Sequence, residues 1–554
     1  MSRSLRILLG VGTVAILASA MALAMSDSVL SVLPWHGDTS AAPGPALALA
    51  AVERQAQLAE TESTGAPTTS LSLPTQETPL SLEVEAAPEA EVTATSEDDR
   101  SHHNHASSDT DSAAGQRDPT LTTRSSNPPE TAISSPSNSQ VSGTITGEAC
   151  PCKVTGSVEI KGNVSLKGDL IVEGGTLIAR PGVDVNGNGF QIMFMEGGKA
   201  DFQGTKVFTW SDQGAKQNLK RDINFRNLRR IMWMDGGGVS TLKYLAVADS
   251  GTSSLGDYPL HWHLNGNSTR GTIVEGVVVL NGKHHAFVPH GSHGITFKDV
   301  IAKNTADDAF WWDPPGTNES CSFRKFCTLD NSNDIVYDRA LVDGVTNGPG
   351  NDRDFNLAGF ILGAGSGNVI RNSAAININP SHVKDCAGFQ WPGKANQNEG
   401  GNVWVAESLY SFSGPSEPSD SGGPENCHGI FVWQNDGNHH VINEFTGGGI
   451  DHGAYKNNYE YRNVEVPYVE VHALGVTFIG GKVREVTAEK HQVGGSADNP
   501  TAVFSNTAID RFTLRNGKGE PGYFVFNSTG LSCSDIVERS VASGTVVVID
   551  GHTC

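Results

Sequence analysis

Between residues 154 and 204 apolar and polar positions alternate in short runs broken by glycine, as in SVEIKGNVSLKGDLIVEGGTLIARPG. A period of two with Gly and Asn punctuation predicts short strands, not helices. The breaks recur: Gly174-Gly175 returns as Gly197-Gly198, 23 residues on. The same offset aligns residues 274–290 with 297–313 without a gap, placing Val277 on Val300, Asn281 on Asn304, Ala286 on Ala309 and Phe287 on Phe310. Many short strands would also suit a sandwich. The repeating interval favours a solenoid, with each repeat one coil of a right-handed parallel β-helix. Later phrases continue it: residues 367–372 echo 294–299, while 385–389 and 426–431 echo 307–310. The stretches 314–334, 345–356, 396–402 and 413–425 are Gly/Ser/Pro-rich and predict loops that wall a groove. Residues 500–554 still read as strands, ending near 546–549, and are expected to cap the stack.

Composition divides the 554 residues into three parts. Residues 1–24 carry Arg3 and Arg6, then an apolar run with small residues at Ala20, Ala22 and Ala24. This predicts a secretory signal peptide, with an uncleaved membrane anchor as the alternative. Residues 25–142 are rich in Ser, Thr, Pro, Ala and Glu and predict a disordered stalk that cannot bury enough apolar surface to offset its ordering entropy. The domain of residues 143–554 follows, with Gly-rich coils over about 150–210. The stalk holds 17 acidic against 4 basic residues, a charge of −13; with +2 from Arg3 and Arg6, the net −22 leaves −11 for the globular part. An acidic surface argues against nucleic acid, and against a polyanionic substrate unless the cleft is locally basic. All eight cysteines lie at or beyond Cys150. In a secreted chain they suggest disulfides, with Cys321–Cys327, Cys386–Cys427 and Cys533–Cys554 the plausible pairs and other pairings open. Cys150 and Cys152 stand too close for a comfortable bridge. No phosphate loop, nucleophile elbow or dinucleotide fingerprint is present, so no nucleotide cofactor is expected.

The candidate chemistry gathers between residues 258 and 313. His261 and His263 lie two apart on a predicted strand and so share a face. His290 follows, and the repeat puts Asp313 one coil beyond it. Three imidazoles and a carboxylate suit zinc or a similar divalent ion, whereas calcium would want mostly oxygen. The same offset stacks His285 on Asp308, with His284 and Asp307 beside them; such a pair can exchange and tune a proton. On a strand only one member of each doublet would face the groove. Asp308, His285 and Asp307 are therefore the candidate catalytic groups. Trp262, Trp311 and Trp312 are candidate sugar-stacking surfaces, the alternative being core packing. Of Trp311 and Trp312, one should face in and one out.

The phrases YPLHWHL (258–264), VPHGSHG (288–294) and DAFWWD (308–313) resemble the parallel β-helix of the cell-migration-inducing hyaluronidase, transmembrane protein 2 and fibrocystin-like family. Residues 154–204 are similar to that family's G8 segment. The resemblance implies an extracellular protein that cleaves, by hydrolysis or elimination, or else binds, a glycosaminoglycan such as hyaluronan. His261, His263 and His290 match family histidines, and Asp313 matches the family's acidic residue. Asp308 stands where the family has histidine, which puts hyaluronan itself in doubt. The expected protein is a secreted or surface-tethered polysaccharide hydrolase or lyase; the alternative is a glycan-binding adhesion protein.

Overall fold

The computed structural model describes residues 140–149, 152–311, 321 and 324–554, apart from 347–356, 364, 380–384, 392–403, 413–425, 433–439, 454–458, 473–474, 489–493 and 516–519. The predicted signal segment, nearly all of the stalk, Cys150, Trp312, Asp313 and most of the long loops lie outside these residues.

Inward apolar side chains with turn residues between them wind the chain into a parallel β-helix of three walls. Among the described residues the main sheet has 36 strands. Wall A includes Ile231–Met234, Leu260–Gly266, Phe287–Ser292, Phe310–Trp311 and Leu357–Ile361, each paired in parallel with the next. Wall B includes Thr272–Glu275, Ile295–Lys298 and Val336–Asp338; wall C includes Val278–Leu280, Ile301–Ala306 and Leu341–Thr346. The 23-residue register read from sequence is the observed one: Val274 pairs with Phe297, Val278 with Ile301 and Phe287 with Phe310. The later echoes also hold, since Phe310, Phe360 and Phe389 succeed one another on wall A and Cys386 pairs with Cys427.

Equivalent inward rings stack at the strand spacing. Phe287, Phe310, Phe360 and Phe389 follow at centroid distances of 4.7, 4.6 and 5.0 Å. The turns are set by residues that tolerate a left-handed backbone: Asn281 and Asn304, one repeat apart, have φ of 50° and 52°. The repeated Gly-Gly has a different cause. A Cβ on Gly198 would lie 2.0 Å from the Val172 carbonyl oxygen, so this corner admits only glycine.

Among the described residues the disulfides are Cys321–Cys327, Cys386–Cys427 and Cys533–Cys554. Val546–Ile549 is the last parallel strand, and His552–Thr553 folds back on it antiparallel. Among the described residues no helix is long and apolar enough to cross a membrane.

Candidate functional site

The strand Leu260–Gly266 alternates faces. Leu260 and Trp262 point into the coil, and Trp262 stacks on Trp233 at 4.7 Å. His261 and His263 therefore point outward from wall A. Trp262 is fully buried in the core, which corrects its assignment as a sugar-stacking surface. The cause is the alternation itself, because the histidines and the tryptophan between them cannot share a side. One coil on, His290 pairs with His263. Its ring centroid lies 4.9 Å from that of His263 and 6.0 Å from that of His261, and one nitrogen of each of the three rings falls within 4.8 Å of the others.

This outer wall is not bare. Tyr258 and residues 324–330 cover it, the latter held by Phe326 N–H donating to Asp235 Oδ1 at 2.8 Å and by Thr328 N–H donating to Leu264 O at 3.0 Å. His261 and His290 are left 1% and 3% exposed. His261 Nδ1 lies 3.1 Å from Gly256 O. A carbonyl only accepts, so Nδ1 carries the proton and Nε2 holds the lone pair. That Nε2 is buried with no hydrogen-bond partner. An imidazole fixed by a backbone carbonyl, with the opposite nitrogen unsatisfied, is the arrangement of a metal-ligating histidine. His263 is set differently: Arg324 Nη1 donates to its Nδ1 at 2.8 Å. An ion at the cluster must use the other nitrogen or displace the guanidinium. Burial, then the neighbouring His290, holds both His261 and His263 well below the ordinary imidazole pKa. The neutral ring is the form that binds metal. Among the described residues, then, the donor set fits a first-row divalent ion through three imidazoles. Asp313, the fourth predicted ligand, lies outside them.

A second cluster adjoins the first. His284 Nδ1 is 3.2 Å and His285 Nε2 4.0 Å from Asp307 Oδ2. The expectation that only one of each doublet faces the groove is overturned for the histidines. They occupy the turn before Phe287–Ser292, not a strand, so strand alternation does not separate them. His285 Nδ1 donates to Asp308 O at 2.8 Å, so Nδ1 carries the proton and Nε2 the lone pair. The Asp308 carboxylate accepts the Ala358 N–H at 2.7 Å, a bond between coils. The Asp307 carboxylate meets both imidazoles of the doublet.

Trp311 points outward, 8% exposed, and its ring lies 3.9 Å from that of His285. Tyr258 joins the clusters, its ring 4.7 Å from His261, 4.9 Å from His284 and 5.1 Å from His285. Tyr258 stood inside the sequence phrase but drew no role there, since a lone tyrosine carries no spacing signal. Arg324 and Arg230 were missed entirely. Arg230 sits with its Nη1 3.3 Å from Gly256 O and 3.4 Å from Asp257 Oδ1. Both guanidiniums add to the downward push on the His261 and His263 pKa. Beside the second cluster, a cleft of about 530 Å³ is lined by Thr252, Asn281, Lys283, Asn304, Ala306 and Thr346, among others.

No curated protein and no solved structure matches the chain. Residues 230–320 match the family model described as CEMIP beta-helix. These coils hold both clusters as described and enclose the phrases at 258–313. The coils in which the histidines converge are thus similar, over residues 230–320, to the CEMIP beta-helix.

Proposed function

We propose that this protein cleaves an extracellular, acidic, glycosaminoglycan-like polysaccharide at the outer wall A, with His261, His263 and His290 as ligands of a zinc-like divalent ion and Asp313 as their fourth. The observation that carries this reading is the convergence of three imidazoles, one of them with an unsatisfied, buried Nε2. When bound, such an ion polarises a substrate oxygen or lowers the pKa of a water. The rest falls to the chain's own groups. Asp307 faces His284 and His285, and His285 Nε2 is the atom that takes or returns the proton. Arg324, with Arg230 behind it, supplies the positive field a uronate carboxylate needs despite the acidic surface. Trp311 offers an indole edge for a sugar ring. The disulfides suit an oxidising, extracellular setting, where the substrate would be met.

A second reading has its own observation. Both clusters are nearly closed, with His285 2% and Asp307 5% exposed. A wall that binds glycan without cutting it, in an adhesion protein, would need no opening to these groups.

The purified full chain, incubated with hyaluronan and a panel of acidic and neutral polysaccharides, separates the two. Falling viscosity that is lost in His263→Ala and after chelation supports the enzyme. An unsaturated uronate product would assign elimination; its absence from cleaved chains would assign hydrolysis. Tight binding without any product after long incubation removes the catalytic reading.

A further inference from the structure

Wall A carries another histidine–carboxylate cluster, outside residues 230–320 and six coil steps from His261, roughly 29 Å at about 4.8 Å per step. Asp451 lies on Ile450–His452 between inward Ile450 and His452, and pairs with Glu470 on the next coil. His472 follows that strand, its N–H donating to His452 O at 3.0 Å. His472 Nε2 is 3.1 Å from Asp451 Oδ1 and 3.6 Å from Glu470 Oε2. On the preceding coil, His428 Nε2 is 3.7 Å from Asp451 Oδ2.

We infer that Asp451, Glu470 and His472, with His428 behind them, form a second divalent-cation site, suited to a zinc-like first-row ion. With tetrahedral metal–ligand bonds of about 2.0–2.2 Å, ligand atoms stand roughly 3.3–3.6 Å apart; the two separations from His472 Nε2, 3.1 and 3.6 Å, lie near that range, and one ligand atom of each of the three residues falls within 4.8 Å of the others. Two carboxylates with one or two imidazoles are a first-row donor set. A separate observation points the same way. The His428 side chain is 3% exposed, its Nδ1 is bonded to Tyr468 Oη at 3.0 Å, and its buried Nε2 has no hydrogen-bond partner. That unsatisfied nitrogen is aimed at Asp451. The triad itself stays 15–19% exposed, which leaves an entry path. The competing occupant is a proton on His472, serving as counter-charge to both carboxylates.

The site is tested apart from the first cluster. In a His261→Gln, His263→Gln, His290→Gln background the full chain should still bind cobalt(II), read from its visible spectrum. Adding Asp451→Asn and His472→Gln should weaken that binding at least tenfold. A triple variant that binds no cobalt, or a quintuple variant that binds it unchanged, overturns the inference. Crystals of the unaltered protein soaked in zinc chloride give a reading independent of variant folding. An anomalous peak between Asp451, Glu470 and His472 is expected, and zinc peaks elsewhere with none here would overturn the site.

Discussion

His261, Trp262 and His263 compress the argument into three residues. Two rings face the outer wall because the ring between them is needed in the core. Trp262→Ala is therefore expected to cost about 3–5 kcal/mol, the range for deleting a large buried aromatic, read from denaturant unfolding. Glycan affinity per folded molecule should not change. Asp307→Asn should act oppositely, lowering kcat by about 10²–10⁴ with little change in KM if the His284–Asp307–His285 group moves the proton. Equal loss of KM would mark it as a packing residue. His261 and His263 could be placed on one face from sequence because i, i+2 spacing translates directly into position, whereas His290 meets them across a 27-residue coil that the 23-residue repeat does not give. The His284–His285 geometry could not, because the doublet lies in a turn where no fixed period governs side-chain direction.

Insertions decide what covers each wall. Residues 204–222 leave the coil and lay Trp210 on wall C, against Val278, Ile301 and Leu341. Asp343 holds this arm through Gln217 Nε2 at 2.7 Å, alongside Lys303 and with Asn377 Nδ2 at 2.6 Å. Burial alone would raise the Asp343 carboxyl pKa. Hydrogen bonds from Lys303, Gln217 and Asn377 outweigh it and hold the group below its ordinary 3.8. The folded pKa is depressed, so this stabilisation is present above the unfolded value of about 3.9 and is lost as pH falls through the folded value. Hydrogen exchange over residues 204–222 should accelerate in that acid range for the native chain. In Asp343→Asn it should be faster at neutral pH and show no such acid step. Residues 324–330 do for wall A what the arm does for wall C, and they bring Arg324 to His263. The stretch 314–334 was expected to wall a groove, but the 204–222 arm was not foreseen, since an irregular segment has no period from which a docking surface can be read.

A stack of coils has two ends, each an open row of backbone groups that invites another strand. At the C-terminal end His552–Thr553 turns back antiparallel, and Cys533–Cys554 holds it there. Replacing both cysteines by serine should remove about 3 kcal/mol, the loop-closure value for this separation. Because coils contact chiefly their neighbours, the loss should appear first as exchange and proteolysis in the last coils, not as a uniform fall. Proteolysis that begins around Phe287 instead would show that the end is not the weak point.

What the sequence determined was everything that depends on repetition: the all-β class, the 23-residue register, the aromatic ladder and the shared face of His261 and His263. A periodic pattern is a local rule applied again at each coil, and identical coils must stack. What only the tertiary structure decided was everything that depends on one segment meeting another far away. Arg324 reaches His263, Tyr258 bridges two clusters, Ala358 claims Asp308, and Asp451 meets Glu470, His472 and His428. Arg324 arrives on an insertion that breaks the repeat, and the others join neighbouring coils of unequal length, so no fixed interval along the chain encodes them.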